Sequence, residues 1–353
     1  MMQKNDGGDI RNLSLEQLVE HFVSYGDKPF RAKQVWDWLW KKSAHNFDDM
    51  TNISIATRKH LKEHFDFNTV KIKETLVGSD KTVKYSFQLI DNNVVEGVLI
   101  PAENRMTACI SSQVGCSLAC KFCATGRLGF TRNLTFDEIY DQVVIISKQA
   151  SERYGYHLTN IVLMGMGEPL LNYDNILRAI ERITSPDGLN MSPSRITVST
   201  VGLPKMIKKL GDDDIKFNLA LSLHAASDKK RSTIIPVNEQ NSLGLLIGAL
   251  KYYYTKTKNR ITLEYLIFDR FNDSMEDAKE LADLCRNFPC KVNIIEYNQV
   301  AGTGFQKAKD IKVKAFAGYL ESKNIIVNIR KSRGEDIYAA CGQLANNIAE
   351  VKN

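Results

Sequence analysis

The stretch of sequence that decides the fold is Gly-Cys-Ser-Leu-Ala-Cys-Lys-Phe-Cys at residues 115–123. Its cysteines, Cys116, Cys120 and Cys123, are close enough in sequence for one loop to present three thiolates to an inorganic cluster. A four-iron, four-sulfur cluster normally takes four cysteines, so three cysteines leave one iron open to a substrate or cofactor. The spacing therefore predicts an iron-sulfur cluster with an open iron, where we expect the chemistry to occur.

Two other uses of cysteine fit this chain less well. A structural zinc site needs a second cysteine pair or a distant histidine pair, and neither follows residues 115–123. A disulfide framework is disfavoured because the chain has seven cysteines, an odd number, and no apolar signal peptide near Met1. We therefore expect a protein of the reducing cytoplasm.

Length and composition set the size and class of the protein. The 353 residues are 43% hydrophobic, which is enough for one large domain with a full core and a smaller one beside it. No apolar run is long enough to cross a bilayer, so no membrane partner is expected. The 47 basic and 41 acidic residues give a formal charge of +6, which agrees with a polyanionic partner without proving one. Nothing indicates an obligate oligomer, and we expect a monomer.

Residues 1–70 are predicted to form a small helical accessory domain. Apolar residues recur there at helical spacing, Asn12 or Ser14 can cap the first helix, and Gly26 with Pro29 separates it from the second. Trp36 and Trp40 lie four positions apart, which is typical of one buried helix face.

The pattern changes at about residue 70 from helical to alternating. Residues 71–101 alternate polar and apolar side chains and predict a short antiparallel β extension that links the helical domain to the core. From residue 102 to residue 340, apolar runs alternate with amphipathic helices, which predicts a full or partial β/α barrel. The expected strands are Met106–Ser111, Asn160–Met164, Arg195–Ser199, Phe217–Leu221, Ile261–Ile267, Val292–Ile295 and Ile325–Ile329.

Small and polar residues follow several of these strands, at the end of a barrel where active sites lie. A glycine or serine at one strand end is usually turn or cap chemistry, and a single histidine is usually structural. The recurrence at four strand ends, together with the cysteine loop, favours a cofactor cradle. Its candidate residues are Gly167, Glu168, Ser199, Ser222, Leu223, His224 and Asn298.

The cysteine motif with Phe122 before its last cysteine, followed by a Gly-Glu strand end, resembles the radical S-adenosylmethionine superfamily. Four stretches are similar to one family in it, the methyltransferases that act on C2 of adenine in 23S rRNA and in certain tRNAs. They are Ile-Ser-Ser-Gln-Val-Gly-Cys at 110–116, Phe-Cys-Ala-Thr-Gly at 122–126, Met-Gly-Met-Gly-Glu-Pro-Leu-Leu-Asn at 164–172 and Ala-Ala-Cys-Gly-Gln-Leu at 339–344. The resemblance extends over nearly the whole chain, including its N-terminal domain.

This resemblance implies an α/β fold with a partial (β/α)6-type barrel. It implies one [4Fe-4S] cluster on Cys116, Cys120 and Cys123, and S-adenosylmethionine in the predicted cradle. It also implies that Cys341, at the start of a C-terminal segment of residues 341–353, carries a methyl group from one S-adenosylmethionine. A second S-adenosylmethionine then generates the radical that removes hydrogen from that methyl.

Two further residue roles are implied by the resemblance alone. Cys109 matches the family's second cysteine, which releases the product by forming a disulfide with Cys341. Glu96 matches the family's proton acceptor, although a glutamate on a strand is otherwise expected to face solvent. Cys285 and Cys290 match no catalytic position, and we expect them to serve packing.

The implied partners are 23S rRNA before full ribosome assembly, tRNA, and an electron donor of the flavodoxin or ferredoxin type. Basic residues near the tryptophans are candidates for RNA phosphate contacts; they are Lys28, Arg31, Lys33, Lys41 and Lys42. Two alternatives stay open, a related enzyme that methylates C8 of adenine and an RNA-binding protein whose iron-sulfur cluster is not catalytic.

Overall fold

Ten strands form one continuous sheet in the computed structural model, which describes residues 8–345. A separate pair, β5 and β6, forms a small antiparallel hairpin around the cysteine loop. The strands are β1 (Lys71–Val77), β2 (Val83–Gln88), β3 (Val94–Ala102), β4 (Arg105–Cys109), β5 (Gln113–Gly115), β6 (Phe130–Asn133), β7 (Asn160–Leu163), β8 (Ile196–Thr200), β9 (Asn218–Ser222), β10 (Ile261–Ile267), β11 (Cys290–Glu296) and β12 (Ile326–Arg330).

Strands β4 and β7–β12 are parallel, and each connection between neighbours contains at least one helix. They coincide, within a few residues at either end, with the seven strands that the sequence predicts. The helices of the structure are α1 (Leu15–Ser24), α2 (Phe30–Trp36), α3 (Ile55–His64), α4 (Phe136–Tyr154), α5 (Tyr173–Thr184), α6 (Pro204–Asp212), α7 (Asp228–Ile234), α8 (Leu243–Thr257), α9 (Met275–Cys285) and α10 (Asp310–Ser322).

The barrel is partial because its sheet does not close. Strands β1 and β12 are the two edges of the strand order within the described residues, and six helical crossovers join the seven parallel strands. The partial (β/α)6-type barrel predicted from the sequence is therefore confirmed. None of the helices within residues 8–345 is long and apolar enough to cross a membrane.

The β extension belongs to the same sheet as the barrel. Strand β3 pairs antiparallel with β4, with Val98 opposite Cys109, and β2 and β1 follow outward. Strand β2 is buried on both faces, since its five residues from Val83 to Phe87 are at most 2% exposed. The extension therefore forms part of the wall beside the first barrel strand.

Helices α1–α3 form the N-terminal helical region. Ser14 caps α1 through a capping box with Gln17. Of the two predicted caps, Asn12 and Ser14, it is therefore Ser14 that caps the helix. Gly26 has a φ of +83° just after α1, a left-handed conformation that glycine adopts without strain. Trp36 and Trp40 are at most 5% exposed, which confirms that they form a buried face.

A buried arginine joins this helical region to the barrel. Arg11 is 2% exposed and forms ion pairs with Asp9, Asp137 and Asp141 at 2.8–3.1 Å. Asp137 and Asp141 lie on α4, the first crossover helix, and Asp141 also accepts the Val70 backbone N–H at 3.1 Å. Three carboxylates thus hold one guanidinium at the junction and fix the helical region against α4.

Candidate active site

A cavity of about 1000 Å³, part of it open to solvent, lies at the carboxyl ends of β7–β11. Parallel strands place their following loops at one edge of the sheet, and the cavity collects the residues of those loops. The predicted site residues that line it are Cys116, Cys120, Cys123, Gly167, Glu168, Ser199, Ser222, His224 and Cys341. Four predicted residues do not line it: Glu96, Cys109, Leu223 and Asn298.

The cysteine loop is shaped by two close backbone contacts. Cys116 donates its N–H to the Gly129 carbonyl at 2.7 Å, and Lys121 donates to the Ile234 carbonyl at 3.0 Å. Gly115 has a φ of +75°, and a Cβ placed there would lie 1.9 Å from the Gly129 oxygen. Only glycine can occupy that position, because any side chain would push the hairpin strands apart at the start of the loop.

The three cysteines of the loop are half-buried and line the same cavity. Burial, with a smaller contribution from Cys123, raises the pKa of Cys116 to about 11, and burial raises the pKa values of Cys120 and Cys123 as well. Three thiolates packed this way in protein alone are unfavourable, because each loses hydration and repels the others. A positively charged metal centre bound to all three is what makes their ionised form stable.

Glu168 is a buried carboxylate at the edge of the cavity. Its Oε2 accepts the Val201 N–H at 2.8 Å and its Oε1 accepts the Leu170 N–H at 3.1 Å. Burial nevertheless raises the pKa of Glu168 to about 7. Gly167 before it has a φ of +100°, and a Cβ there would lie 2.5 Å from the Gln113 side chain. The loop after β7 thus places the Gly167 backbone and the Glu168 carboxylate close to the cavity.

The next two strand ends present polar groups side by side. The hydroxyls of Ser199 and Ser222 lie 3.2 Å apart across β8 and β9. His224 accepts the Leu266 N–H on Nδ1 at 3.0 Å, so its proton resides on Nε2. Burial and the nearby Arg231 guanidinium lower the pKa of His224 to about 3, so the ring is neutral. This arrangement offers two hydroxyls and an imidazole to a polar ligand.

Leu223 and Asn298 lie just behind this surface. Leu223 is completely buried, and its N–H donates to the Glu264 carbonyl at 3.0 Å. Asn298 is 2% exposed, and its amide donates to the Glu296 carbonyl at 3.4 Å. The structure thus places both residues beside the cavity rather than on its surface.

Two charged residues of the site were missed by the sequence analysis. Glu264 lines the cavity from the middle of β10, a strand whose seven residues are all buried, and it pairs with Arg330 at 3.3 Å. Arg231 is completely buried behind the β8 and β9 ends. The sequence did contain a signal for Glu264, since it is the one charged residue in the apolar run of β10. Burial of an unpaired charge is costly, so a glutamate in such a strand indicates a partner or a functional role.

All seven cysteines of the chain lie within the described residues, and Cys341 is the exposed one. Protein atoms surround its thiol inside the cavity and raise its pKa, while the Arg330 guanidinium favours the thiolate. Cys109 is buried at the end of β4, where burial and the neighbouring Cys341 raise its pKa to about 12. Both are free thiols in this structure, and Cys341 lies close enough to Cys109 to raise its pKa.

Residues 334–345 cross the strand ends and carry Cys341. On the cluster side, Ala124 donates its N–H to the Gly342 carbonyl at 2.7 Å, and the Thr125 hydroxyl donates to the Leu344 carbonyl at 2.6 Å. On the other side, the Gly334 N–H donates to Asp80 at the β1–β2 turn at 3.1 Å. The predicted C-terminal segment is described as far as residue 345, and residues 346–353 lie outside the described residues.

Glu96 is on β3, fully buried, and directed toward this C-terminal segment. Its Oε2 accepts the Ala345 N–H at 3.0 Å, and its Oε1 lies 3.0 Å from the Lys84 ammonium. The ammonium contact is an ion pair whose angle is too poor for a hydrogen bond. The structure thus contradicts the ordinary expectation that a strand glutamate faces solvent.

Cys285 and Cys290 lie at the opposite end of the sheet. Cys285 ends α9 and Cys290 begins β11, so both are at the amino end of that strand. Cys285 packs with the hydrophobic core, and the Cys290 thiol approaches the Cys285 carbonyl at 3.8 Å. Neither lines the cavity, which agrees with the expectation that they serve packing.

The parallel barrel and its three-cysteine loop define a class of protein, the radical S-adenosylmethionine enzymes, and residues 110–285 match the model of the radical SAM superfamily. Residues 8–66 match the ribosomal RNA large subunit methyltransferase N-terminal domain. A solved radical SAM methyltransferase from Sphaerobacter thermophilus superimposes with a TM-score of 0.90 at 38% identity, covering 95% of this chain and 98% of that one.

Relatives along the full length specify the family. A probable dual-specificity RNA methyltransferase RlmN from Cytophaga hutchinsonii is 55% identical over 97% of this chain and 93% of its own. The dual-specificity RNA methyltransferase RlmN of Nitratidesulfovibrio vulgaris is 43% identical over 97% of this chain and 96% of its own. The chain belongs to the RlmN family of radical S-adenosylmethionine methyltransferases.

Membership of this superfamily implies a [4Fe-4S] cluster and S-adenosylmethionine as cofactors. The residues of the cavity fit both groups. Three half-buried cysteines line it, and a soft thiolate set is what iron-sulfur clusters require. Polar groups from several strand ends converge on the same cavity beside these thiols. A carboxylate, two hydroxyls and a neutral imidazole suit the amino, carboxylate and ribose groups of the cosubstrate.

Proposed function

We propose that the chain methylates C2 of an adenine in 23S rRNA and in tRNA, with Cys341 as the methyl carrier. The observation that carries this proposal is the position of Cys341, the exposed cysteine, in the same cavity as the three-cysteine loop. Cys109 lies behind the cavity surface and within electrostatic reach of Cys341, so a second thiol is available near the carrier thiol. A structural cluster in a binding protein needs neither of these thiols.

In this proposal Cys116, Cys120 and Cys123 bind the cluster. Gly167, Glu168, Ser199, Ser222 and His224 bind S-adenosylmethionine from the cavity surface, while Leu223 and Asn298 contribute backbone or support from behind it. When bound, the reduced cluster and S-adenosylmethionine supply a methyl group and the radical that removes hydrogen from a methyl carbon. The other steps fall to side chains of this chain.

Cys341 accepts the methyl group as a thiolate, which the Arg330 guanidinium favours. After its carbon has bonded to C2 of the adenine, Glu96 takes the proton from C2, and the unpaired electron of the adduct would return to the redox centre that supplied the reducing electron. Cys109 then attacks the Cys341 sulfur as a thiolate. The S–S bond forms, the bond between Cys341 and the RNA-bound carbon breaks, and its electron pair with a proton completes the methyl group. A thiol reductant restores both cysteines by taking up the oxidising equivalents.

The division of the chain into parts is also a proposal. We propose an accessory domain at 1–70 that contacts RNA, a β extension at 71–101, a core barrel at 102–340 and a C-terminal segment at 341–353. The Arg11 junction supports the first boundary, since it fixes the helical region onto α4 through buried ion pairs. The shared sheet makes the extension a working part of the site, because Glu96 comes from it.

We further propose that 23S rRNA is modified before full ribosome assembly, because C2 of a stacked adenine must be turned out to reach the cavity. Lys28, Arg31, Lys33, Lys41 and Lys42 are candidates for phosphate contacts. We place the protein in the cytoplasm as a monomer, with a flavodoxin-type or ferredoxin-type electron donor. Its seven free cysteines suit that reducing compartment.

Mass spectrometry of digested RNA tests the activity. Anaerobically reconstituted protein is incubated with S-adenosylmethionine, a strong reductant and either 23S rRNA or tRNA. The expected product is 2-methyladenosine, which Cys341→Ser abolishes and the matched control Cys290→Ser retains. A product methylated only at C8 assigns the chain to the C8 alternative. Absence of 5′-deoxyadenosine in iron-replete protein assigns it to the non-catalytic RNA-binding alternative.

A further inference from the structure

Lys84 is a buried lysine at the point where the β extension meets the C-terminal segment. It is 2% exposed on β2, although lysine is almost never fully buried unless its charge is paired. Its ammonium lies 3.0 Å from Glu96 Oε1 and donates to the Tyr338 carbonyl at 3.3 Å. One cation thus contacts both the proposed proton acceptor and the segment that carries Cys341.

The ion pair holds this segment at two points. Lys84 binds Tyr338, three residues before Cys341, and Glu96 Oε2 accepts the N–H of Ala345, four residues after it. Tyr338 has a φ of +50°, a left-handed conformation that costs free energy for a residue with a side chain. External contacts must therefore maintain this conformation, and the Lys84 ammonium supplies one of them.

Stability alone does not account for the pair. Burying two opposite charges costs hydration free energy, and apolar residues of similar size are often as stable or more so. One face of β2 is apolar, with the completely buried Val83, Tyr85 and Phe87, and the opposite face, which carries Lys84 and Ser86, is buried as well. A charged pair in such surroundings is better explained by a role in holding neighbouring groups in place than by a gain in stability.

The same contacts keep Glu96 away from the substrate space. Glu96 does not line the cavity in this structure, and the Ala345 N–H occupies one of its oxygens. In this position the Glu96 carboxylate contacts Ala345 and Lys84, and a contact with a base in the cavity would compete with the Ala345 N–H. Movement of the segment that carries Cys341 and exposure of the proton acceptor are therefore coupled by geometry.

We propose that Lys84 is a positioning residue for product release: it pairs with the Glu96 carboxylate and ties its availability to movement of residues 338–345. The proposal rests on the proposed function, since it concerns the proton that leaves C2 in that reaction. Lys84 touches neither cofactor nor substrate in this scheme. It acts through the carboxylate of Glu96 and the carbonyl of Tyr338.

The charged surroundings of the pair are simple. Lys84 is the charged group in contact with Glu96 among residues 8–345, and the Met166 sulfur and Ser111 hydroxyl face the Glu96 backbone. Asp80 and Arg333 pair with each other at 3.8 Å at the rim of the β1–β2 turn, next to the C-terminal segment. The Cys109 thiolate contributes a pH dependence of release that is common to all variants, so only the part of the pH effect that differs between Lys84 variants reports on Glu96.

The test measures formation and release of the covalent RNA adduct on Cys341 separately, in single turnovers from pH 6 to pH 9. Lys84→Met removes the charge at similar volume, Lys84→Arg retains it, and Lys73→Met on β1 is the matched exposed control. We expect Lys84→Met to form adduct but to release it about tenfold or more slowly at pH 7. Release should recover toward pH 9, because an unpaired buried carboxylate ionises only at higher pH. Lys84→Arg should restore most of the release rate at pH 7.

A purely structural role gives a different result. In that case Lys84→Met lowers adduct formation and release together, with an unchanged pH profile, and the proposal is overturned. If Lys84→Met does not fold, the double variant Lys84→Met/Glu96→Gln removes the unpaired charge and provides the test. It should release adduct no more slowly than Glu96→Gln alone; an additive loss overturns the proposal. Failure of the wild-type protein to form any adduct refutes the proposed function instead.

Discussion

Replacing Arg231 tests the strongest local interaction behind the site. Its guanidinium is completely buried and donates to the carbonyls of Leu223 at 3.1 Å and Ser222 at 3.3 Å, to the Val201 carbonyl, and to Asn238 Oδ1 at 2.6 Å. These carbonyls belong to the ends of β8 and β9, which present Ser199, Ser222 and His224 to the cavity. Arg231→Met should therefore loosen the surface to which S-adenosylmethionine is proposed to bind.

The expected cost follows from these contacts. The Leu223 carbonyl still accepts the Ala225 N–H, but the Ser222 and Val201 carbonyls and Asn238 Oδ1 lose the arginine as donor, at about 1–3 kcal/mol each, or about 6 kcal/mol in total. Part of this cost is offset because Met does not bury a charge, and burial lowers the pKa of Arg231 to about 10, which corresponds to about 3 kcal/mol. We expect a net loss of about 3 kcal/mol in the free energy of unfolding. For a chain of this length this lowers the melting temperature by about 4 °C.

Differential scanning calorimetry and S-adenosylmethionine binding provide the two readouts. Arg231→Lys should lose part of the stability, since a lysine keeps the charge but can donate to fewer of the four acceptors. Arg286→Met, at a guanidinium that is 72% exposed, is the matched control and should change neither readout. The reasoning is refuted if Arg231→Met melts within 1 °C of the wild-type protein and binds S-adenosylmethionine equally well.

Three further predictions follow from single positions. Cys109→Ala should accumulate a covalent RNA adduct on Cys341, seen as a nuclease-sensitive shift on a denaturing gel; normal turnover excludes Cys109 from release. Gly115→Ala should lose at least about 2 kcal/mol of stability and most bound iron, because its Cβ would lie 1.9 Å from the Gly129 oxygen; unchanged iron content contradicts this. Burial raises the pKa of Asp137 from 3.8 to about 6, so the native state holds that proton more tightly than the unfolded chain. Its contribution, up to about 3 kcal/mol, is present at pH 4 and lost as pH rises through 6, and Asp137→Asn should remove this part of the pH dependence in urea unfolding.

The barrel was predictable because its signals are local. Each parallel strand is a short apolar run between helices, and burial of both faces leaves such a run apolar regardless of which strands it pairs with. The residues after each run gather at one edge of the sheet for the same reason. Glu168, Ser199, Ser222 and His224 could therefore be placed together from sequence, and the structure places all four on the cavity surface.

The charged residues behind the site were not predictable from local pattern. Lys84 and Ser86 alternate with Val83, Tyr85 and Phe87, which predicts a strand with one face in solvent. In the structure the polar face of β2 is buried, because the Tyr338 carbonyl and the Glu96 carboxylate cover Lys84. Alternation reports the polarity of each face, and a buried polar face has the same sequence pattern as a solvated one.

Glu96 is the clearest example of a residue that local sequence pattern cannot place, because its partners are distant in sequence. The contact between Glu96 and Ala345 spans 249 residues, and that between Lys84 and Tyr338 spans 254 residues. They meet because β1–β3 extend the barrel sheet beyond β4, which brings the extension beside the final segment of the described chain. The sequence identifies Glu96 only through family resemblance. Its physical role depends on a sheet edge whose position no local pattern specifies, so contacts of this kind become visible only when the strand order is known.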